Sequence, residues 1–151
     1  MNTYLLATVI ALATAASCPA HAGSCSEADK QLSKRQFATW NDSYEYFVRY
    51  KGGCSDAALG EALSSQHTQL LDKTAPKLGT LKRLVAQNPA YLNWLLLGVF
   101  YNPEETEVNA KNTACRILKR LFSCVPAEKE LCAKLATRVG PSLEYVQGCS
   151  N

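Results

Sequence analysis

The sequence has few of the residues that most catalytic sites require. It contains two histidines, His21 and His67, and none of its cysteines stand in a C-x-x-C spacing. A serine or cysteine nucleophile needs a neighbouring base, and a zinc site needs closely spaced Cys and His ligands. His67 lies away from the apolar stripe of its predicted helix, which favours an ordinary surface histidine. We therefore expect no metal and no cofactor, and we expect that the protein is not an enzyme.

Strand signals are also scarce. No stretch alternates between apolar and polar residues over the length of a strand, and no hairpin dipeptide lies between β-branched runs. Helical spacing of apolar residues is found instead in six segments, which are residues 33–51, 55–73, 74–88, 89–101, 102–125 and 127–139. We predict an all-α fold, a compact bundle of about six short antiparallel helices reinforced by disulfides. A small solenoid-like stack of αα-hairpins is the alternative.

The fourth predicted helix, residues 89–101, is the expected centre of the bundle. It carries no charged residue and lies between two Asn-Pro pairs, Asn88-Pro89 and Asn102-Pro103. Asn caps a helix and Pro suits its first turn, so each pair should begin a helix. Apolar side chains point in nearly every direction, so other helices should cover this one all round. The side chains expected at the centre are Trp94, Leu95, Leu97 and Val99.

The fifth predicted helix has a more ordinary pattern, with its apolar residues on one side. These residues are Val108, Cys115, Leu118, Leu121 and Phe122. A helix of this kind packs through its apolar stripe and exposes the opposite face.

The first 22 residues indicate export. Residues 3–16 are apolar with many small side chains, and Ala20-His21-Ala22 fits the small-x-small pattern that precedes a cleavage site. We predict that residues 1–22 are a signal peptide and that residues 23–151 form a single helical domain, periplasmic or secreted. Lipidation at Cys18 is the alternative, although the large apolar residue usual three positions earlier is missing.

Cleavage after Ala22 would reduce the seven cysteines to six, because Cys18 leaves with the signal peptide. An even number in an exported chain predicts three disulfides. Cys124 and Cys132 flank the predicted turn at Pro126, which can bring their Cα atoms within about 6 Å, so we favour that pair. The remaining pairs that we expect are Cys25 with Cys149 and Cys54 with Cys115.

The charge of the chain argues against a nucleic-acid partner. Its 16 Lys and Arg residues and 13 Asp and Glu residues give a net charge of +3, well short of the clustering that nucleic-acid binding needs. Tyr and Arg dominate binding hot spots. Two candidate binding groups follow, which are Tyr46, Arg49 and Tyr50 on the first helix and Arg116, Lys119 and Arg120 on the fifth. The alternatives are an aromatic core face for the first group and a solvated face for the second.

These features are typical of an exported binding protein. The organisation is similar to that of periplasmic immunity proteins, which neutralise cell-wall-degrading effectors, although the similarity is one of type and involves no shared motif. We expect a protein partner in the periplasm and no transmembrane segment in the mature chain. The alternatives are an enzyme that acts on wall polymers through carboxylates such as Glu61, and a structural or maintenance protein of the envelope.

Overall fold

The computed structural model describes residues 36–50, 57–140 and 149. Six α-helices and one 3-10 helix follow one another there: α1 Trp40–Tyr50, α2 Ala57–Thr74, α3 Gly79–Gln87, α4 Pro89–Leu97, α5 Glu107–Phe122, the 3-10 helix Pro126–Glu128 and α6 Lys129–Ala136. These residues form no strand, and only Phe100 and Val139 make an isolated bridge. The predicted all-α fold is confirmed. The predicted signal peptide, residues 1–22, lies outside the described residues.

Local capping explains where α1 and α4 begin. Thr39 precedes α1, and the Asp42 carboxylate reaches back to accept hydrogen bonds from the backbone N–H groups of Thr39 at 2.8 Å and Ala38 at 3.1 Å. This is the reciprocal arrangement of a capping box. At α4, the Asn88 side chain accepts from the N–H of Ala90 at 3.2 Å, with proline in the first helical position. The predicted start of the fourth helix is therefore confirmed.

The connection between α4 and α5 departs from the sequence prediction, because α4 ends at Leu97 rather than continuing to residue 101. The N–H of Phe100 donates to the carbonyl of Arg138 at 2.6 Å, and the N–H of Gly140 donates to the carbonyl of Phe100 at 3.0 Å. These bonds to the chain after α6 replace the bonds of a continued helix. The second Asn-Pro pair forms a turn, and Thr106 caps α5 instead.

The main core lies between all six helices. α1 packs against α3 and α4, α2 packs against α5, and α5 packs against α6. Aromatic and aliphatic side chains fill the space between them. The largest fully enclosed ones are Tyr91, Phe100, Leu70, Leu71, Leu78, Leu81, Ile117 and Leu135.

Helix α4 is covered on one face only, which corrects the expectation of a helix covered all round. Tyr91 and Leu95 lie one turn apart and are buried, and Trp94 is half-buried. Leu97 is 80% exposed, and Val99 lies beyond the end of the helix and is also exposed. Within the last turn of α4, Leu95 is buried and the carbonyl of Leu97 accepts from Arg138, so this turn is covered on the side of Leu95 while the Leu97 side chain is exposed.

Candidate functional site

His67 lies in the interior, so the predicted surface position is wrong. Its imidazole is 6% exposed. Four aromatic rings surround it with centroids 5.2 to 6.5 Å away, which are those of Phe37, Trp40, Trp94 and Phe100. These rings come from the start of α1, from α4 and from the connection after α4. The periodicity of α2 alone carries no signal that three other segments converge on this face.

His67 ends a buried chain of hydrogen bonds. The hydroxyl of Tyr91 donates to Oγ of Ser43 at 2.8 Å, and Ser43 Oγ lies 2.8 Å from His67 Nε2. Ser43 Oγ accepts a hydrogen bond from the Tyr91 hydroxyl, and we place the hydrogen of Ser43 toward His67 Nε2. With Nε2 as the acceptor, we assign His67 the neutral tautomer that carries its proton on Nδ1. Burial lowers the pKa of His67 from 6.5 to about 3 and raises the pKa of Tyr91. Both side chains are therefore neutral at neutral pH.

A serine beside a neutral histidine is a pairing that nucleophilic catalysis uses. Here Ser43 and Tyr91 are both completely buried, and the surrounding aromatic rings also bury His67. A substrate would reach Ser43 only if α1 separated from its neighbours. The hydroxyls of Tyr91 and Ser43 each have a hydrogen-bond partner, so this network costs little free energy to bury. It holds α1, α2 and α4 in one arrangement. We interpret it as part of the core.

The structure divides the first candidate binding group. Tyr46 is 8% exposed, and its ring packs against those of Phe37, Tyr50 and Trp94 with centroids 5.6, 4.8 and 6.2 Å apart. It belongs to a small second cluster of buried side chains that also contains Leu59. Arg49 is exposed and Tyr50 is half-buried. Of this candidate group, a partner could therefore contact Arg49 and the exposed part of Tyr50.

In the second candidate group, two of the three basic side chains join helices. The guanidinium of Arg116 donates to both carboxylate oxygens of Asp72, each at 2.8 Å, and this bonding raises the pKa of Arg116. Arg120 donates to the backbone carbonyl of Asp72 and lies 3.6 Å from its Oδ1. These contacts attach α5 to the end of α2. Lys119 is exposed and projects into solvent.

Several chain segments meet at the end of the bundle where α2 and α5 finish and α3 and α6 begin. Glu128 Oε2 accepts from the N–H of Leu78 at 2.7 Å, and Lys82 Nζ donates to the carbonyl of Ala127 at 2.6 Å. With the Asp72 contacts, these bonds bring residues 72–82 and 119–129 together. We call the surface formed by these two segments the basic end. Its basic side chains are Lys73, Lys77, Lys82, Lys119, Arg120 and Lys129.

The basic end also carries exposed apolar side chains. Phe122 is 76% exposed and Val125 is 52% exposed, whereas Leu118 and Leu121 of the same predicted stripe are buried. Successive residues of a helix are rotated by about 100°, so Phe122 points away from the packed face that contains Leu121, and α5 ends there. The expected apolar stripe of the fifth helix is therefore correct in its middle and wrong at Phe122. Val108, at the other end of the helix, is also exposed.

Two disulfides lie within the described residues. Cys124 is bonded to Cys132 with Cα atoms 6.6 Å apart, as predicted. Cys115 is bonded to Cys149 with Cα atoms 5.0 Å apart, so the expected pairs Cys25–Cys149 and Cys54–Cys115 are wrong. Cys149 lies next to the middle of α5, and the sequence contains no signal for that long-range approach. Cys25 and Cys54 fall outside the residues that the structure describes.

Within residues 36–50, 57–140 and 149, no group of three or more His, Cys, Asp or Glu side chains could hold a metal ion. The helices of this part of the chain lack the length and apolar character for crossing a membrane. No family model, curated protein or solved structure matches the chain. The fold and the two disulfides define a small all-α protein cross-linked in the manner of proteins from oxidising compartments.

Proposed function

We propose that this is an exported binding protein that acts by covering a surface of another macromolecule, as an immunity protein does when it inhibits a cell-wall-active enzyme. One observation carries the proposal. Phe122, a large aromatic side chain, is 76% exposed at the end of α5, a helix that is cross-linked in its middle at Cys115 and is followed directly by the cross-linked Cys124. Aromatic anchors dominate binding hot spots, and a fixed anchor loses little conformational entropy on binding.

Export is supported by the N-terminal sequence and by the cysteines. The apolar N-terminal run ends in the small-x-small pattern of a signal peptide, and removal of residues 1–22 leaves an even number of cysteines. The two disulfides are of the kind that persists in oxidising compartments. A rigid protein that carries its own cross-links suits binding outside the cytoplasm.

The inhibitory role is supported by charge. Enzymes that cleave glycosidic bonds in wall polymers use a pair of carboxylates, so their clefts are acidic. A protein with a net charge of +3 is attracted to such a cleft. An inhibitor needs only to occupy the cleft mouth, which agrees with a compact build and an exposed aromatic anchor.

The test uses the protein purified from the periplasm in its oxidised form. We expect the immobilised protein to retain one periplasmic or secreted enzyme, which mass spectrometry identifies. When that enzyme is purified, an equimolar amount of the binding protein should suppress its hydrolysis of peptidoglycan. Protein reduced and alkylated at its cysteines is the matched control and should retain less.

The contrary outcome is also defined. If no protein is retained and the purified chain itself degrades peptidoglycan, with loss of that activity on Glu61→Gln, then the proposal is wrong and the protein is an enzyme. Glu61 is exposed on α2, so this substitution should leave the fold intact.

A further inference from the structure

We infer that the basic end is the docking surface and that it fits an acidic protein surface with an apolar pocket for Phe122. This inference rests on the proposed function and specifies the surface and the partner chemistry through which binding occurs. It is carried by charge distribution, by the exposure of Phe122 and by the bonds that hold this end rigid.

The positive charge of the protein is concentrated at the basic end. Its six basic and two acidic side chains have a net charge of +4, whereas the whole chain has +3, so the remainder of the chain sums to −1. Both acidic side chains are engaged internally, Asp72 by Arg116 and Glu128 by the N–H of Leu78. The exposed lysines there are Lys73, Lys77, Lys82, Lys119 and Lys129.

Helix stability does not account for all of these cations. Lys73, Lys119 and Arg120 lie in the last turns of α2 and α5, where a positive charge complements the helix dipole. Lys82 lies in the first turn of α3 and Lys129 is the first residue of α6, where positive charge opposes the dipole. Lys82 is held there by its bond to the carbonyl of Ala127, so Lys129 is the cation whose position an attraction to an anionic surface explains.

The exposed apolar side chains of the basic end lie among these cations. Phe122 and Val125 flank Cys124, whose disulfide to Cys132 closes the connection between α5 and α6. Glu128 on the same connection caps the start of α3, which fixes it a second time. The result is an exposed aromatic side chain on a segment held by a disulfide and a capping bond, with Lys119 one turn before it on α5, which complements an apolar pocket with an acidic rim.

A protein partner fits this surface better than a lipid bilayer. Binding to a bilayer depends on the apolar area that is inserted, and two apolar side chains supply little. A rigid surface lowers the entropic cost of binding when the partner surface is also preorganised, as a folded protein is. We therefore assign the surface to an acidic protein and treat binding to anionic lipid as an outcome that would overturn the inference.

The opposite end of α5 would help to orient the encounter. Glu104, Glu105 and Glu107 lie at the start of this helix. Of these, Glu107 lies 13 residues before Arg120 on the same helix, which corresponds to roughly 20 Å along its axis. An acidic partner is repelled by one end of the protein and attracted by the other, which raises the rate of productive association.

The test measures binding of the identified partner, purified, to three variants by biolayer interferometry. Lys119→Glu combined with Lys129→Glu should raise Kd roughly tenfold or more at low salt, mainly through a slower association rate, and the effect should shrink at high salt. Phe122→Ser should raise Kd roughly tenfold through faster dissociation, largely independent of salt. The matched control Arg49→Glu reverses one exposed charge on α1 and should change Kd by less than about twofold. Circular dichroism checks that each variant is folded.

Three outcomes would overturn the inference, and they are distinguishable from failure of the proposed function. If Arg49→Glu abolishes binding and the basic-end variants do not, the docking surface is on α1 and the binding function stands. If the protein sediments with vesicles of phosphatidylglycerol and phosphatidylethanolamine, and Phe122→Ser releases it, the partner is lipid. If no protein partner exists at all, the proposed function fails together with its surface.

Discussion

Around His67, aromatic rings enclose a histidine, a serine and a tyrosine that are linked by hydrogen bonds, whereas the basic end carries Phe122 and several lysines that are all exposed. Both regions combine aromatic rings with polar or charged side chains. In the first, burial holds the histidine neutral and gives each hydroxyl a partner within the protein. In the second, the lysines and the ring of Phe122 are exposed to solvent. The buried side chains therefore contribute to the core, and the exposed side chains are the ones that a partner can contact.

This comparison predicts that substitutions in the two regions will act on different properties. Changes around His67 should lower the free energy of unfolding, because packing and satisfied polar groups are lost there. Changes at the basic end should leave the free energy of unfolding nearly unaltered and affect binding instead.

The largest effect is expected for Tyr91→Ala, which removes a fully enclosed ring and leaves Ser43 without its hydrogen-bond donor. We expect the free energy of unfolding to fall by about 3–5 kcal/mol. Phe122→Ala removes an aromatic ring of similar size at the basic end and should change stability by less than about 0.5 kcal/mol. Urea titration followed by circular dichroism measures both. Equal losses for the two variants would contradict the distinction between the regions.

A matched pair within α4 sharpens the same distinction for a single residue type. Leu95 is 2% exposed and Leu97, two residues further along, is 80% exposed. Leu95→Ala should cost about 2–5 kcal/mol because it leaves a cavity in the core, and Leu97→Ala should cost less than about 0.5 kcal/mol. Thermal and urea unfolding of both variants check the prediction. A large loss for Leu97→Ala would show that another part of the protein covers it.

Acid should destabilise the region around His67. Its pKa is about 3 in the folded protein and 6.5 when unfolded, so between these values the unfolded chain binds the extra proton. Stability is therefore complete above pH 6.5 and falls with decreasing pH, by up to about 1.4 kcal/mol for each pH unit. Between pH 6.5 and 5, where most carboxylates do not titrate, the loss should approach about 2 kcal/mol. Urea unfolding at several pH values measures it.

The control for this prediction is His67→Gln, which retains an acceptor for Ser43 and removes the titrating group. This variant can be less stable than the original protein at every pH, but its stability should be flat between pH 6.5 and 5. A slope that persists in the variant would assign the acid sensitivity to another group.

Among the variants that break a contact between helices, the smallest effect is expected for Asp72→Asn, which removes the carboxylate that Arg116 and Arg120 share. The Arg116 side chain is 47% exposed and water screens the pair, so the loss of stability should be about 0.2–1 kcal/mol. High salt should reduce the difference between the variant and the original protein. A loss above about 2 kcal/mol would indicate that the ion pair holds the two helices together more strongly than an exposed pair does.

Features that depend on residues close together in the sequence were predicted well. The all-α fold, the start of α4 at an Asn-Pro pair and the Cys124–Cys132 bond all follow from neighbouring residues. The second Asn-Pro pair is the local exception, since it forms a turn rather than the start of a helix, and the other errors have a different origin. His67, Leu97 and the partner of Cys149 depend on which distant segments approach, and the periodicity of one helix does not contain that information.

The sequence by itself determined that the chain is helical, that α4 begins at Asn88-Pro89 and that one disulfide closes the connection at Pro126, because propensity, capping and loop length act over a few residues. The tertiary structure alone decided that His67 is caged, that Tyr46 is interior, that Arg116 and Arg120 are bound to Asp72, and that Phe122 is exposed among lysines. Each of these outcomes depends on contacts between residues far apart in the chain. Such contacts are set by how the helices pack, and many packings are compatible with the same apolar stripes.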